Sequence, residues 1–296
     1  MPATVHGLVP VLATPFHPDG SLDVPSLRRL TEFQLASGVN AIAVFGMASE
    51  AFALTEAERR RILDEVVAVI GGAVPVIAGV NGTSTVTAIE QARAAEDGCA
   101  GTAMVIPPFM VKPSSAQLID FYGDVAVATD LDVMVQDAPG ITGVDMPPAV
   151  IVELSKLERV TSVKVEAPPT PLKVSAVIDA LGDAEFAVLG GQNSQFCIDE
   201  HSRGAVGTMP ASEFSDLLRP VLADIRADRY AEARAAFTRL LPLVLFGLQP
   251  GIAWAVHKEA LVARGIIDHA TVRAPARPLD AATRASLAVI LNDLVL

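Results

Sequence analysis

A lysine and a glutamate stand two positions apart at the end of a short β-branched segment. Residues 160–166 read VTSVKVE, a pattern typical of a buried strand. Because side chains alternate along a strand, Lys164 and Glu166 point to the same side. A buried lysine can lose its proton and attack a carbonyl carbon, and a carboxylate beside it can accept and return protons. The pair predicts Schiff-base (imine) chemistry, with a structural ion pair in the core as the alternative.

Lys164 differs from the other lysines of the chain. Lys112, Lys156, Lys173 and Lys258 fall in predicted loops or helices, where we expect solvated side chains. Lys164 alone falls in an apolar strand. It is therefore the candidate nucleophile.

Two further polar segments follow predicted strands. Residues 46–50 read GMASE, and their small side chains would let backbone N–H groups approach a carboxylate. The alternative is a tight strand-to-helix turn in which Glu50 supports loop amides. Residues 190–193 read GGQN and place two amides behind two glycines, where they can bind hydroxyls or orient a water. The alternative there is that Asn193 caps the next helix.

The elements that position these residues alternate along the chain. The hydrophobic pattern predicts strands at residues 7–13, 41–45, 74–78, 101–106, 132–135, 161–165, 186–189 and 205–208. Helical patterns separate them, at residues 25–37, 56–70, 85–97, 115–128, 147–157, 172–181 and 194–201. Such alternation implies parallel βαβ units, and eight strands fit a closed (β/α)₈ TIM barrel.

An open, doubly wound sheet is the alternative architecture. It would be favoured by a glycine-rich phosphate loop after the first strand, and residues 14–18 read TPFHP instead. After residue 211 the predicted strands stop. We therefore expect a barrel over residues 1–211 and a C-terminal helical region, residues 212–296, packed on it. Active sites of such barrels lie at the carboxyl ends of the strands, where the polar segments above are found.

Composition narrows the function classes. The chain has 296 residues, 51% of them hydrophobic, which is enough for a large core. Its formal net charge of -12 argues against nucleic acid or an anionic membrane as the main partner. Two cysteines and five scattered histidines lack metal-ligand spacing, so we expect no metal. Neither a signal sequence nor an apolar run of membrane-spanning length is evident, and we expect a cytoplasmic protein.

Several of these segments resemble the dihydrodipicolinate synthase/N-acetylneuraminate lyase superfamily. They are residues 7–16 (GLVPVLATPF), 46–50 (GMASE), 78–83 (AGVNGT), 138–142 (APGIT), 163–164 (VK) and 203–207 (RGAVG). The resemblance implies a class I aldolase or dehydratase that forms an imine with a small 2-oxo acid, needs no external cofactor and assembles as a homotetramer. It assigns Lys164 as the imine-forming lysine. It also places Ala48, Ser49 and Val206 beside the carboxylate end of the substrate.

The chain departs from the superfamily at several catalytic positions. Aldolases of the superfamily carry a catalytic tyrosine after the fifth strand, where this chain has Gln136. The threonine that relays protons is replaced within residues 46–48, and the paired tyrosines after the fourth strand become Pro108 and Phe109. Ile141 stands where an arginine would recognise aspartate semialdehyde. These departures argue against dihydrodipicolinate synthase activity, because the usual proton carrier is missing.

One branch of the superfamily lacks that tyrosine as well. L-2-keto-3-deoxyarabonate dehydratases are similar to this chain in having a glutamate two positions after the lysine and an asparagine after the seventh strand. The resemblance makes Lys164, Glu166 and Asn193 the catalytic residues, with Gln136 and Gln192 contacting the substrate. In this reading Glu166 removes a proton from C3 of the imine and, through a water placed by Asn193, assists loss of the C4 hydroxyl.

The expected reaction is conversion of L-2-keto-3-deoxyarabonate to 2-oxoglutarate semialdehyde and water. Two alternatives stay open at this point. The first is a class I aldolase or hydratase-aldolase that acts on another 2-oxo acid. The second is a non-catalytic 2-oxo acid sensor that kept the fold. Whether Asn193 or Gln192 faces the substrate is also open.

Overall fold

The predicted (β/α)₈ barrel is confirmed. The computed structural model describes residues 5–296, and within them eight parallel strands form one sheet in the order β1-β8-β7-β6-β5-β4-β3-β2. The strands are β1 (Gly7–Leu8), β2 (Ile42–Val44), β3 (Val76–Val80), β4 (Thr102–Val105), β5 (Asp132–Asp137), β6 (Val160–Val165), β7 (Ala187–Gly190) and β8 (Gly207–Thr208). The two ends of the sheet meet where Val11 pairs with Ala43. The amide of Ala43 donates to the carbonyl of Pro10 at 2.9 Å there, which closes the barrel.

Helices surround the strands. In chain order they are α1 (Val24–Ala36), α2 (Glu56–Ile70), α3 (Thr85–Asp97), α4 (Ser115–Val127), α5 (Pro139–Thr142), α6 (Pro148–Ser155), α7 (Thr170–Leu181), α8 (Cys197–Ser202), α9 (Ser215–Arg226), α10 (Tyr230–Phe246), α11 (Ala253–Ala263) and α12 (Ala281–Asp293). Helix α2 begins with a capping box, in which Thr55 and Glu58 satisfy each other's backbone amides. Within residues 5–296, no helix is both long and apolar enough to cross a membrane.

Alternation along the strands builds two apolar layers. Outward side chains such as Val163 and Val165 of β6 join the large core between strands and helices. A smaller core that includes Met134 and Leu189 fills the inside of the barrel. Lys164 lies between the two outward valines and opposite Leu189 of β7, so it points inward. The strand period therefore carries the lysine into the barrel.

The C-terminal region covers the mouth of the barrel. Helix α9 follows β8 and packs against β1, which is the place of the eighth helix of a barrel. The predicted division at residue 211 falls between β8 and α9, and α10, α11 and α12 follow α9. Helix α11 reaches the turn at Met47–Ser49, where the indole Nε1 of Trp254 donates to the carbonyl of Met47 at 2.6 Å.

Candidate active site

A cavity opens at the carboxyl ends of the strands. It has a volume of about 520 Å³, and its walls include Lys164 and Glu166 from β6 and the loop after it. The turn at Met47–Ser49 contributes Met47 and Ala48, and the C-terminal region contributes residues 247–251 and part of α11. The cavity therefore brings together β6, the turn after β2 and the helices that cover the barrel.

Glu166 is held in contact with Lys164. The Lys164 Nζ lies 3.2 Å from Glu166 Oε1. The side-chain amide of Gln136, on the neighbouring strand, donates to Glu166 Oε2 at 2.8 Å. The backbone amide of Gln192 lies 3.4 Å from Glu166 Oε1, and its side-chain amide donates to the Glu166 carbonyl at 3.1 Å. Both carboxylate oxygens are thus oriented by neighbours while the group remains in the cavity wall.

A left-handed turn after β7 makes room for this carboxylate. A Cβ on Gly191 would lie 2.3 Å from Glu166 Cγ, so only glycine fits there. The next three residues, Gln192, Asn193 and Ser194, all have positive φ, at 48°, 53° and 63°. Such consecutive left-handed residues cost about 1 kcal/mol or more each, and strain of this kind concentrates at functional sites. The turn is therefore shaped by the site and not by backbone preference.

Asn193 lines the cavity, but its amide already has partners. Its Nδ2 donates to the carbonyl of Val244 at 3.0 Å, and its Oδ1 accepts from the amide of Ala211 at 2.9 Å. It therefore ties α10 and the segment after β8 to the cavity wall, with one N–H left for a ligand or water. The alternative role as a cap of α8 is wrong, because α8 has no side-chain cap.

The turn after β2 presents backbone rather than side chains. Ser49 is buried, and its hydroxyl donates to the carbonyl of Leu12 at 2.6 Å, so it holds the turn and does not line the cavity. Ala48 does line it. The first amides of so short a turn have no acceptor within it and are available to an anion. Glu50 accepts from the amide of Arg273 at 2.9 Å, which confirms it as a residue that supports a loop amide.

Two further residues expected at the substrate, besides Ser49, lie elsewhere. Gln136 is buried behind Glu166 and contacts that carboxylate, outside the cavity wall. Val206 precedes β8 and is 43% exposed, and its amide donates to the carbonyl of Val188 near the start of β7. It therefore lies at the amino-terminal end of the barrel, away from the site. Met209, three residues later, lines the cavity instead.

Two more buried carboxyl groups lie near Glu166. Burial raises the pKa of Asp137, at the end of β5, to about 6, although Lys173 opposes the shift from 3.3 Å. Burial also raises the pKa of Glu200, on α8, to about 7, although its hydrogen bond with Thr170 opposes the shift. The charge of Glu166 adds to both increases. The region behind the Schiff-base candidate is therefore rich in acids that titrate close to neutrality.

Sequence reasoning missed several residues around the cavity. Lys258 was expected in solvent, which is wrong, because it is fully buried and contacts Glu50. Lys173 is also largely buried, against Asp137. His257 lines the cavity, and its Nδ1 lies 2.8 Å from a carboxylate oxygen of Glu213, 44 residues away. No local pattern marks such pairs, since each partner comes from a distant element.

The chain is similar to known proteins in both sequence and structure. A model of the dihydrodipicolinate synthetase family matches residues 4–294. A 4-hydroxy-tetrahydrodipicolinate synthase of Stenotrophomonas maltophilia is 40% identical over 190 residues, which cover 64% of this chain and 63% of that relative. An L-2-keto-3-deoxyarabonate dehydratase of Azospirillum brasilense is 30% identical over 292 residues, which cover 97% of this chain and 94% of that relative. A crystal structure of dihydrodipicolinate synthase from Rhodopseudomonas palustris matches with a TM-score of 0.92 and 27% identity, over 98% of this chain and 97% of that one.

Proposed function

We propose that this chain, which belongs to the dihydrodipicolinate synthetase family, is a Schiff-base dehydratase of a small 2-keto-3-deoxy sugar acid. It is an enzyme of the lyase class, related to class I aldolases. The substrate we propose is L-2-keto-3-deoxyarabonate, and the products are 2-oxoglutarate semialdehyde and water. The observation that carries the proposal is Glu166, which contacts Lys164 and is oriented by Gln136 at the position of the missing phenol.

The first step is imine formation at C2 of the keto acid. Lys164 must be neutral to attack, and the carboxylate of Glu166 at 3.2 Å is placed to take its proton. The amine adds to the carbonyl carbon, and loss of water leaves a protonated imine. The imine then draws electrons from C3, whose protons become acidic.

The second step is elimination. Glu166 removes a proton from C3, and the resulting enamine expels the hydroxyl group from C4 once that oxygen is protonated. Gln136 and the amide of Gln192 keep the two carboxylate oxygens directed at the lysine side of the cavity. The spare N–H of Asn193 is available to hold a water beside them. The lysine serves as the electron sink throughout.

The cavity suits a five-carbon acid. Its volume of about 520 Å³ falls within the range of about 300–1,000 Å³ that small-ligand sites occupy. Among the described residues of its wall, Lys164 is the only lysine or arginine. We therefore place the substrate carboxylate on the backbone amides of Met47 and Ala48. Ile141, which also lines the cavity, offers no positive charge to a second carboxylate.

Borohydride trapping tests the proposal. The protein is incubated with L-2-keto-3-deoxyarabonate and reduced, and the modified peptide is identified by mass spectrometry. We expect an adduct on Lys164, none in Lys164→Arg, and an unchanged adduct in the control Lys156→Arg, whose side chain is exposed. Without reductant, semialdehyde is expected as the product. Release of pyruvate would indicate the aldolase alternative, and absence of any adduct would indicate a sensor.

The expected cytoplasmic homotetramer is part of this proposal. It follows from the family resemblance and is checked by the mass of the protein in solution. A monomer or dimer with full dehydratase activity would remove the tetramer from the proposal and leave the chemistry unaffected.

A further inference from the structure

The cavity wall holds a second acid–base pair. His257, on α11, lines the cavity, and its Nδ1 lies 2.8 Å from Oε1 of Glu213, between β8 and α9. Both residues are buried, and Glu213 is completely so. Among the described residues of the wall, the ionisable side chains are Lys164, Glu166 and His257. Among the described residues, no hydrogen bond or ion pair joins Glu213 to Lys164 or Glu166, so the two pairs are separate.

Glu213 fixes how the imidazole is presented. A carboxylate can only accept a hydrogen bond, so the proton in this contact is assigned to Nδ1 of His257. The other ring nitrogen, Nε2, is then left for the cavity. The second oxygen of Glu213, Oε2, is buried and has no hydrogen-bond partner, so the carboxylate is directed at the histidine alone. A carboxylate that holds a histidine this way fixes its tautomer and the orientation of its ring. Nε2 can then donate a proton and later accept one.

The imidazole lies beside the amide of Asn193. A Cβ on Gly247 would lie 2.7 Å from His257 Cε1 and 3.1 Å from Asn193 Nδ2, so both side chains lie close to Gly247. Gln192 precedes Asn193 in the chain, and its backbone amide contacts Glu166. The segment 192–193 therefore contacts Glu166 through Gln192 and lies near the imidazole through Asn193.

A dehydration needs proton transfers that Glu166 is poorly placed to perform alone. Its oxygens are engaged by Lys164, Gln136 and Gln192, which direct it towards the imine and C3. We infer that His257, oriented by Glu213, is a second acid–base catalyst that serves the C4 and C5 end of the substrate. This inference rests on the proposed dehydratase function.

The proton transfers balance with these two groups. Glu166 takes a proton from C3 to give the enamine. His257 gives its Nε2 proton to the C4 hydroxyl, the C4–O bond breaks with its electron pair on oxygen, and water leaves as C3 and C4 become doubly bonded. His257 then regains a proton from C5, and Glu166 returns its proton to C3. The resulting enol at C4 and C5 tautomerises to the aldehyde, and hydrolysis of the imine frees Lys164.

Two reactions of the same enzyme separate the two residues. The first is exchange of the C3 protons of 2-oxopentanoate with D₂O, followed by NMR, which needs Lys164 and Glu166 but no leaving group. The second is dehydration of L-2-keto-3-deoxyarabonate. The test variant is His257→Asn, whose amide can still donate to Glu213 but which lacks the Nε2 edge. His269→Gln, outside the cavity, is the matched control.

We expect His257→Asn to exchange C3 protons within about twofold of the wild type and to dehydrate at least about 10²-fold more slowly, the usual contribution of a general acid. In His257→Ala, added imidazole is expected to restore part of the dehydration rate. Near wild-type dehydration in His257→Asn would overturn the inference. So would an equal loss of exchange and dehydration in both variants, which would mean that the histidine supports the site as a whole.

Glu213 is a positioning residue, and Glu213→Gln tests it. We expect kcat for dehydration to fall about tenfold or more at unchanged KM, with C3 exchange retained. A parallel loss of exchange would instead assign Glu213 to structure. Failure of the dehydratase proposal itself is distinguishable, because the wild type would then show C3 exchange with no semialdehyde, or neither reaction.

Discussion

Lys164 and Lys258 are both buried against a glutamate, yet their surroundings differ. Lys164 contacts Glu166 at 3.2 Å and lines the cavity. Lys258 contacts Glu50 and also donates to the carbonyl of Thr271 at 2.7 Å, entirely enclosed by protein. One lysine has a free side that a carbonyl carbon can approach, and the other has its protons committed. Access therefore separates the proposed nucleophile from the structural ion pair.

The charges around the two pairs are also opposite. Beside Lys258 lies a second cation, the guanidinium of Arg273, and each of the two cations lies 4.1 Å from the centre of the Phe16 ring. Burial, aided by Arg273 and opposed by Glu50, lowers the pKa of Lys258 to about 8. The neighbourhood of Lys164 contains extra carboxyl groups instead, at Asp137 and Glu200. A lowered pKa is therefore not sufficient to identify a catalytic lysine.

The comparison predicts the largest effect at Lys164. Lys164→Arg keeps a positive charge beside Glu166 but cannot form the imine, so we expect turnover to fall by about a thousandfold or more. The free energy of unfolding should change far less than turnover does. Steady-state kinetics and urea unfolding of the same preparation measure both quantities. Residual turnover within tenfold of the wild type would break the distinction between the two lysines.

Lys258 should show the reverse pattern. Lys258→Met leaves Glu50 buried without its cation, and we expect the free energy of unfolding to fall by about 3–5 kcal/mol. The double variant Lys258→Met/Glu50→Gln should recover part of that loss, because no buried charge is left unpaired. Urea unfolding measures the series, with Lys156→Met as the exposed control. Equal stability of all variants would show that the pair contributes little.

Gly191 tests how tightly the proposed catalytic pair, Lys164 and Glu166, must be held. A methyl group there would overlap Glu166 Cγ, whose distance from the added Cβ would be 2.3 Å. We expect Gly191→Ala to displace the carboxylate and lower kcat by about 10–100-fold, since a displacement of about 1 Å can cost that much. Adduct formation on Lys164 should persist. Gly101→Ala is the control, because its nearest neighbour lies at 4.0 Å. An unaffected kcat in Gly191→Ala would mean that Glu166 tolerates movement.

The sequence was sufficient for the barrel and for the placement of Lys164 beside Glu166 because both depend on short periods. Strand alternation alone predicts that Lys164 and Glu166 share a side, and the predicted bounds of α2 match the observed Glu56–Ile70. The error at Val206 has a local cause as well. Strand β8 has two residues, so the step of three positions from Val206 to Met209 leads from one end of the barrel to the other.

What sequence could not supply is the partner of each polar side chain. Lys258 has the same helical setting as a solvated lysine, and its burial follows from Glu50, more than 200 residues earlier. The two backbone contacts of Asn193 likewise come from α10 and from the segment after β8. Such pairings arise only when the C-terminal helices close over the barrel, and the role of His257 depends on the same closure.

The smallest predicted effect lies at Glu58, whose partner Arg273 also contacts Glu50 of the Lys258 ion pair. Arg273, whose amide bonds Glu50, also forms a two-pronged ion pair with Glu58, and this hydrogen bonding lowers the pKa of Glu58 from 4.5 to about 2. A carboxyl group with a lowered pKa stabilises the fold above pH 4.5 and loses that contribution as the pH falls through 2. The pair is partly exposed, so we expect Glu58→Gln to cost about 1 kcal/mol at neutral pH.

That cost should shrink as the pH falls from 4.5 towards 2, because wild-type Glu58 then becomes neutral like the glutamine. Urea unfolding at several pH values measures the difference, and Glu90→Gln, at an exposed position of α3, controls for general acid effects. A difference that stays constant over this range would mean that Arg273 is held by its bonds to the carbonyls of Gly20 and Ala53. Lys258, Glu50 and Arg273 would then depend on backbone contacts for their position. Because the two lysine pairs are separate, we expect turnover to be unchanged in Glu58→Gln.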